Sequence, residues 1–204
     1  MLLELLRDDR RVLDIGCGYG ELLESLGRRE FTVGVDIDRD AVIHCISRGL
    51  DVIMLDAAEG LGCFSDDSFD TAVLNRTLEV LSRPDRVLTE MLRVAQRAIC
   101  FVPNFAHWRV RWQLLRGFMP KTAALPHEWY ETPNIHHTTL ADFVKLARRC
   151  GGRIDCTYAV RGGKVRPHIL LPNLTAEWGC FIIARAGSSH LSEKPGDATE
   201  TTTT

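Results

Sequence analysis

The sequence predicts an α/β fold, a parallel sheet covered by helices. Three observations predict it. Apolar runs rich in β-branched residues alternate with segments of helical period. The early runs are near-continuous rather than alternating, as in strands buried on both faces. The stretch RVLDIGCGYGELLESL (11–26) sets Gly16, Gly18 and Gly20 directly behind the first such run. Glycine inside a strand or helix is unfavourable by roughly 0.5–1 kcal/mol relative to Ala. Three so close together call for a tight turn that something approaches closely.

RVLDI (11–15) reads as the first strand and ELLESLGRR (21–29) as a helix with Leu22, Leu23 and Leu26 on one face. FTVGVD (31–36) is the second strand. Asp38 caps RDAVIHCISRG (39–49), and Gly49 stops it. DVIML (51–55) and SFDTAVLN (68–75) are the third and fourth strands. PDRVLTEMLRVAQ (84–96) begins on Pro84 and turns Val87, Leu88, Met91, Leu92 and Ala95 inward. RAICFVP (97–103) is the fifth strand. TTLADFVKLARRCGG (138–152) is a capped helix with a glycine stop. RIDCTYAV (153–160) and WGCFIIARA (178–186) are the last two strands. Residues 1–186 thus read as one domain, with 104–137 inserted between strand five and the next helix. The polar tail, 187–204, reads as disordered.

Composition excludes several classes. The 204-residue chain is 45% hydrophobic and carries a net charge of −2, so no general field draws it to nucleic acid or an anionic membrane. No apolar run approaches the roughly 18 residues of a membrane helix. MLLELLRDDR is too short and wrongly charged for a secretion signal. The seven cysteines are scattered, with no C-x-x-C pair, which fits buried thiols in a reducing cytoplasm rather than disulfides or zinc.

In an open α/β sheet the ligand crevice lies outside the carboxyl ends of the strands. A dinucleotide spacing, G-x-G-x-x-G/A, would need a small residue at Glu21, whose carboxylate would face the pyrophosphate. The spacing D-x-G-x-G-x-G, from Asp14 to Gly20, suits S-adenosylmethionine, which has no phosphate but carries an ammonium and a sulfonium. Asp36 ends the second strand, where a carboxylate can accept both ribose hydroxyls. Asp56 follows the third strand and can take the adenine amino group, with Ala57 offering its backbone. Cys17, Ile37 and Asn75 complete the candidate cofactor set. The competing reading is an ordinary strand–turn–helix corner with solvent-exposed acids.

These residues resemble the class I, Rossmann-like methyltransferases: LDIGCGYG their first motif, GVDID their second, LDAAEGL and SFDTAVLN their third and fourth. The resemblance implies a seven-stranded sheet of order 3-2-1-4-5-7-6 with the last strand antiparallel. It also implies that Gly16, Gly18, Asp36, Asp56 and Ala57 line the cofactor pocket. NRTLEVLSRPDRVLTEMLRV, PNFAHWRVRWQLLRGFMPKT and ALPHEWYETPNIHHTTLADF resemble the methionine biosynthesis protein MetW family, over about residues 11–184. That family resemblance implies a partner or activator role with homoserine O-acyltransferase. The chain departs from the family at Tyr19, where an acidic residue is common, and at NRTLE, where a Gln-containing segment is common.

The inserted stretch is rich in aromatics and basic by two charges, Arg109, Arg111, Arg116 and Lys121 against Glu128 and Glu131. Trp108 and Trp112 are four apart and share a helix face. Beside Arg109 and Arg111 they fit a partner surface, a pocket lid or plain core. The alternative function is an S-adenosylmethionine-dependent methyltransferase with a small-molecule acceptor. Asn104, His107, Trp129 and Tyr130 would then surround the acceptor, Asn134 would join that surface, and His107 and His136 are the candidate bases. A third reading is a scaffold that binds no cofactor. No metal box such as HExxH is present, and no N/D-P-P-Y/F follows the fourth strand, which disfavours methylation of nucleic-acid bases.

Overall fold

A computed structural model describes residues 1–27, 29–162, 164–166 and 170–187. The polar tail from 188 onward lies outside the described residues. A short helix α1 (Leu2–Leu5) precedes β1 (Arg11–Ile15), α2 (Glu21–Leu26), β2 (Phe31–Asp36), α3 (Arg39–Ser47) and β3 (Val52–Met54). Then come β4 (Phe69–Asn75), a 3₁₀ turn (Leu78–Val80), α4 (Pro84–Val94) and β5 (Ala95–Pro103). The chain ends with α5 (Trp108–Leu115), α6 (Leu140–Arg149), β6 (Gly152–Arg161), β7 (Lys164–Arg166), α7 (Pro172–Thr175) and β8 (Trp178–Arg185).

One sheet holds all eight strands in the order β3-β2-β1-β4-β5-β8-β6-β7. β1 to β5 pair in parallel, and β8 runs antiparallel between β5 and β6. The expected order is present, with one correction. A short hairpin strand, β7, adds to the β6 edge and makes eight strands rather than seven. Its three residues are all exposed, so no burial pattern marks them in the sequence.

The two faces of the sheet carry separate cores, as near-continuous apolar strands require. On one face Val12, Val73, Ile99 and Cys180 pack with Leu6 and Leu26. On the other, Leu13, Ile15, Leu74, Cys100 and Ile183 meet Leu88, Met91 and Leu92 of α4 and Phe143 of α6. Local signals hold the helix starts. The Asp38 carboxylate accepts from the backbone N–H groups of Asp40 and Ala41, and Pro84 occupies the first turn of α4. The hydroxyl of Thr139 accepts from the Asp142 N–H and starts α6.

The sheet's amino end is clamped by ion pairs. Asp70 takes the backbone N–H groups of Arg10 and Arg11 and the Arg11 guanidinium, with 2.8 Å to its nearest nitrogen. Arg97 binds Asp9 at 2.9 Å and the Leu5 carbonyl, tying the N-terminal segment to β5. The candidate site lies at the opposite, carboxyl ends of the strands.

Candidate functional site

Register builds the corner. β1 stops at Ile15, and the next two N–H groups, of Gly16 and Cys17, both turn to the Val35 carbonyl of β2. The chain then passes through left-handed backbone at Gly16, Gly18 and Gly20, with φ of 68°, 52° and 83°. The three glycines serve different needs. A Cβ on Gly20 would stand 2.5 Å from Leu50 Cδ1 and 3.0 Å from Cys45 Sγ, so Gly20 lets α2 close onto the end of α3. A Cβ on Gly16 would stand 2.3 Å from Thr77 Cγ2, because Thr77 packs over this residue. Gly18 has open space where a Cβ would project. Of the three, it is the one left free for a ligand.

A cavity of about 700 Å³ opens beside this corner. Asp14, Gly16, Cys17, Gly18 and Asn75 all line it, so half of the expected cofactor set shares one space. Asp14 is its most unusual member. The residue is only 3% exposed, and no donor among the described residues hydrogen-bonds its carboxyl group. Burial, with the nearby Asp36 charge, pushes its pKa up to about 7. A buried acid without a partner is destabilising unless a cation meets it.

Asp36 lies next to this cavity rather than in its wall. Its Oδ2 accepts the Gly18 N–H at 2.7 Å, and its Oδ1 accepts the Asp38 N–H at 2.9 Å. Each oxygen keeps a further lone pair, so the carboxylate both holds the turn and can still accept a hydroxyl. Ile37 is exposed beyond it. Asp56 binds the Ala58 N–H at 2.8 Å, and Ala57 is buried behind it. Asp36, Ile37, Asp56 and Ala57 therefore lie at the neighbouring strand ends and do not close over the cavity. Burial holds the Cys17 thiol well above the usual thiol range and raises that of Cys45, and all seven cysteines are free.

Tyr19, Glu21 and Leu22 extend the wall from the glycine turn into α2, Phe101 and Val160 add β5 and β6, and four further residues come from elsewhere. Met1 and Leu2 come from the N-terminal segment, Arg76 follows β4, and Trp178 opens β8. The Arg76 guanidinium sits 5.1 Å from the Trp178 ring centroid. Trp178 reaches the cavity only because β8 inserts beside β5, a long-range pairing that no local pattern announces.

The inserted segment behaves differently. Trp108, Trp112, Trp129 and Tyr130 are all exposed, with Trp129 at 67%. Trp108 and Trp112 do share a face of α5, but that face points outward, and Val110 is the buried residue of the helix. The Arg109 guanidinium lies over Trp108, and Arg111 is fixed to the Ala106 carbonyl at 2.7 Å. Plain core is thereby excluded for these tryptophans.

The imagined acceptor ring is not assembled. Asn104 and His107 line one small cleft, and Trp129 and Asn134 line another with Phe105 and His137. Neither cleft includes Tyr130. Asn104 is structural: its amide donates to the Asn173 and Ala176 carbonyls at 3.0 and 2.8 Å, and its Oδ1 accepts the Ala106 N–H. His107 caps α5, its Nδ1 accepting the Arg109 N–H at 3.3 Å, and burial lowers its pKa. His136 has an exposed side chain, while its backbone N–H binds the Glu79 carbonyl at 3.0 Å. Neither histidine reaches the Asp14 cavity wall.

The sheet order and the glycine corner are those of the class I methyltransferase fold. A SAM-dependent methyltransferase from Archaeoglobus fulgidus superposes with a TM-score of 0.65 at 18% identity, covering 90% of this chain and 93% of that one. Within that class the chain belongs to the MetW family: the family model "Methionine biosynthesis protein MetW" matches residues 1–183. A relative from Rhodopirellula baltica, the bifunctional methionine biosynthesis protein MetXA/MetW, is 36% identical over 76% of the chain. The phosphatidylethanolamine N-methyltransferase of Cereibacter sphaeroides is 30% identical over 47% of the chain. The chain spans 27% of the first relative's length and 51% of the second's. No described helix is long and apolar enough to cross a membrane.

Proposed function

We propose that this chain binds S-adenosylmethionine at the Asp14 cavity and works in the cytoplasm as the partner and activator of a homoserine O-acyltransferase. The observation that carries the ligand half is Asp14 itself, a buried carboxyl group without a donor, opening on a cavity beside Gly18. Such a group fits a cationic ligand and disfavours a phosphate. Asp36 accepts ribose hydroxyls with its remaining lone pairs, and Asp56 and Ala57 lie at the next strand end for the base. When bound, the ligand supplies a sulfonium-activated methyl group. The chain's own contribution is to orient the ligand and to hold it against water.

The partner half draws on two supports. One relative carries MetXA and MetW in a single chain. The exposed Trp108, Trp112, Arg109 and Arg111 of α5 form a surface of the composition that interfaces favour. The inserted segment 104–137 is this surface.

The test is co-expression with the cognate acyltransferase, comparing wild type with Asp36→Ala. Loss of acyl transfer with the complex intact ties the pocket to activation. Unchanged acyl transfer and unchanged complex overturn the activator reading. That result would favour the second reading, methyl transfer to a small acceptor. One observation supports it: the cavity wall continues past the nucleoside strands onto Phe101, Val160 and Trp178, which leaves space beside Asn75.

A further inference from the structure

Arg76 stands in left-handed backbone, with φ of 59°. A non-glycine residue keeps that conformation only where its surroundings enforce it, and such residues cluster at functional sites. The conformation accompanies a guanidinium laid on the Trp178 ring, in the wall of the same cavity that holds Asp14. Among the described residues Arg76 makes no ion pair and no hydrogen bond through its guanidinium. Its field lowers the Glu79 pKa, yet burial dominates there and that acid is raised on balance. The cavity therefore contains a buried carboxyl group without a donor and a guanidinium without a hydrogen-bond acceptor, with the exposed Glu21 also in its wall.

A ligand that answers both must carry a positive and a negative group close together, as an α-amino acid does. We infer that Arg76 receives the α-carboxylate of the bound ligand while Asp14 faces its cationic groups, so that the site selects nucleosides with an intact amino-acid end. The inference rests on the S-adenosylmethionine reading and adds the residue that reads the far end of that ligand. A guanidinium presents paired donors that match a carboxylate in two parallel hydrogen bonds. Trp178 holds its plane, so little side-chain freedom remains to be lost on binding.

The experiment is calorimetry on the full chain with two probes. S-adenosylhomocysteine carries the amino-acid end, and 5′-methylthioadenosine lacks it. Wild type is expected to bind the first at least about tenfold more tightly than the second. Arg76→Gln is expected to weaken S-adenosylhomocysteine by about ten- to hundredfold and to leave 5′-methylthioadenosine within about twofold. The unchanged second affinity also shows that the pocket is folded. Arg76→Gly separates structure from binding: relief of the left-handed backbone raises the melting temperature, while S-adenosylhomocysteine is still lost. An Arg76→Gln affinity equal to wild type for S-adenosylhomocysteine overturns the inference, as does equal wild-type binding of both probes. If wild type binds neither probe, the S-adenosylmethionine reading falls and takes this inference with it.

Discussion

Asp36 and Gly18 are joined by a 2.7 Å hydrogen bond from the backbone N–H to the carboxylate. The acid at the end of β2 thus sets the shape of the glycine turn and raises the pKa of Asp14 behind it. Replacing it acts on three things at once. Asp36→Ala is expected to weaken S-adenosylmethionine by at least about tenfold, given about 1.5–3 kcal/mol for a hydrogen bond to a charged group. It also moves the Asp14 titration to lower pH. Calorimetry between pH 6 and 8 reads both effects.

Under the S-adenosylmethionine reading, Asp14 is expected to make ligand binding pH-dependent. Its folded pKa of about 7 lies above the ordinary 3.8, so the folded chain holds a proton that the unfolded chain has released between these values. The stability tied to that proton is complete below about pH 4 and is lost as pH rises through 7. Binding of a cation follows the opposite course, because it needs the ionised acid. Affinity for S-adenosylmethionine is therefore expected to rise from pH 6 to pH 8. Asp14→Asn is expected to melt higher than wild type at pH 8, to bind weakly and to lose this pH dependence.

Gly18 and Gly20 separate under substitution by Ala. Gly20→Ala drives a Cβ into Leu50 and Cys45 at positive φ and is expected to destabilise by about 1–3 kcal/mol in denaturant unfolding. Gly18→Ala meets nothing within 4 Å, so only backbone strain of about 1 kcal/mol opposes it. Its larger effect is expected in ligand affinity.

Substitutions on the α5 face are expected to separate recognition from folding. Trp108→Ser with Trp112→Ser is expected to leave stability within about 1 kcal/mol, because both rings are exposed, and to abolish co-purification with the acyltransferase. Val110→Ala, one turn inward, is expected to cost about 1–3 kcal/mol and to leave the complex intact. Pull-down and chemical unfolding on the same samples distinguish the two outcomes.

Much of the frame was readable from local rules. The strands 11–15 and 31–36, the Asp38 cap and the Pro84 start fall where residue type and period place them. The glycine corner and the position of Asp14 followed from spacing. What escaped depends on distant parts of the chain. Trp108 and Trp112 have the same spacing whether a helix buries them or shows them, and the inward residue, Val110, lies between them. Asn104 and His107 are polar and sit beside the fifth strand, yet they are occupied in joining β5 to α7 and in starting α5. Arg76 became visible only through its backbone angle and its neighbour from β8.

The placement of β8 has a consequence for synthesis. A ribosome delivers Asp14 and the glycine corner well before Trp178. Until β8 pairs with β5 and β6, nothing joins those two strands and the cavity lacks its Trp178 wall. The Trp178 side of the cavity therefore closes only after β8 has been made and paired.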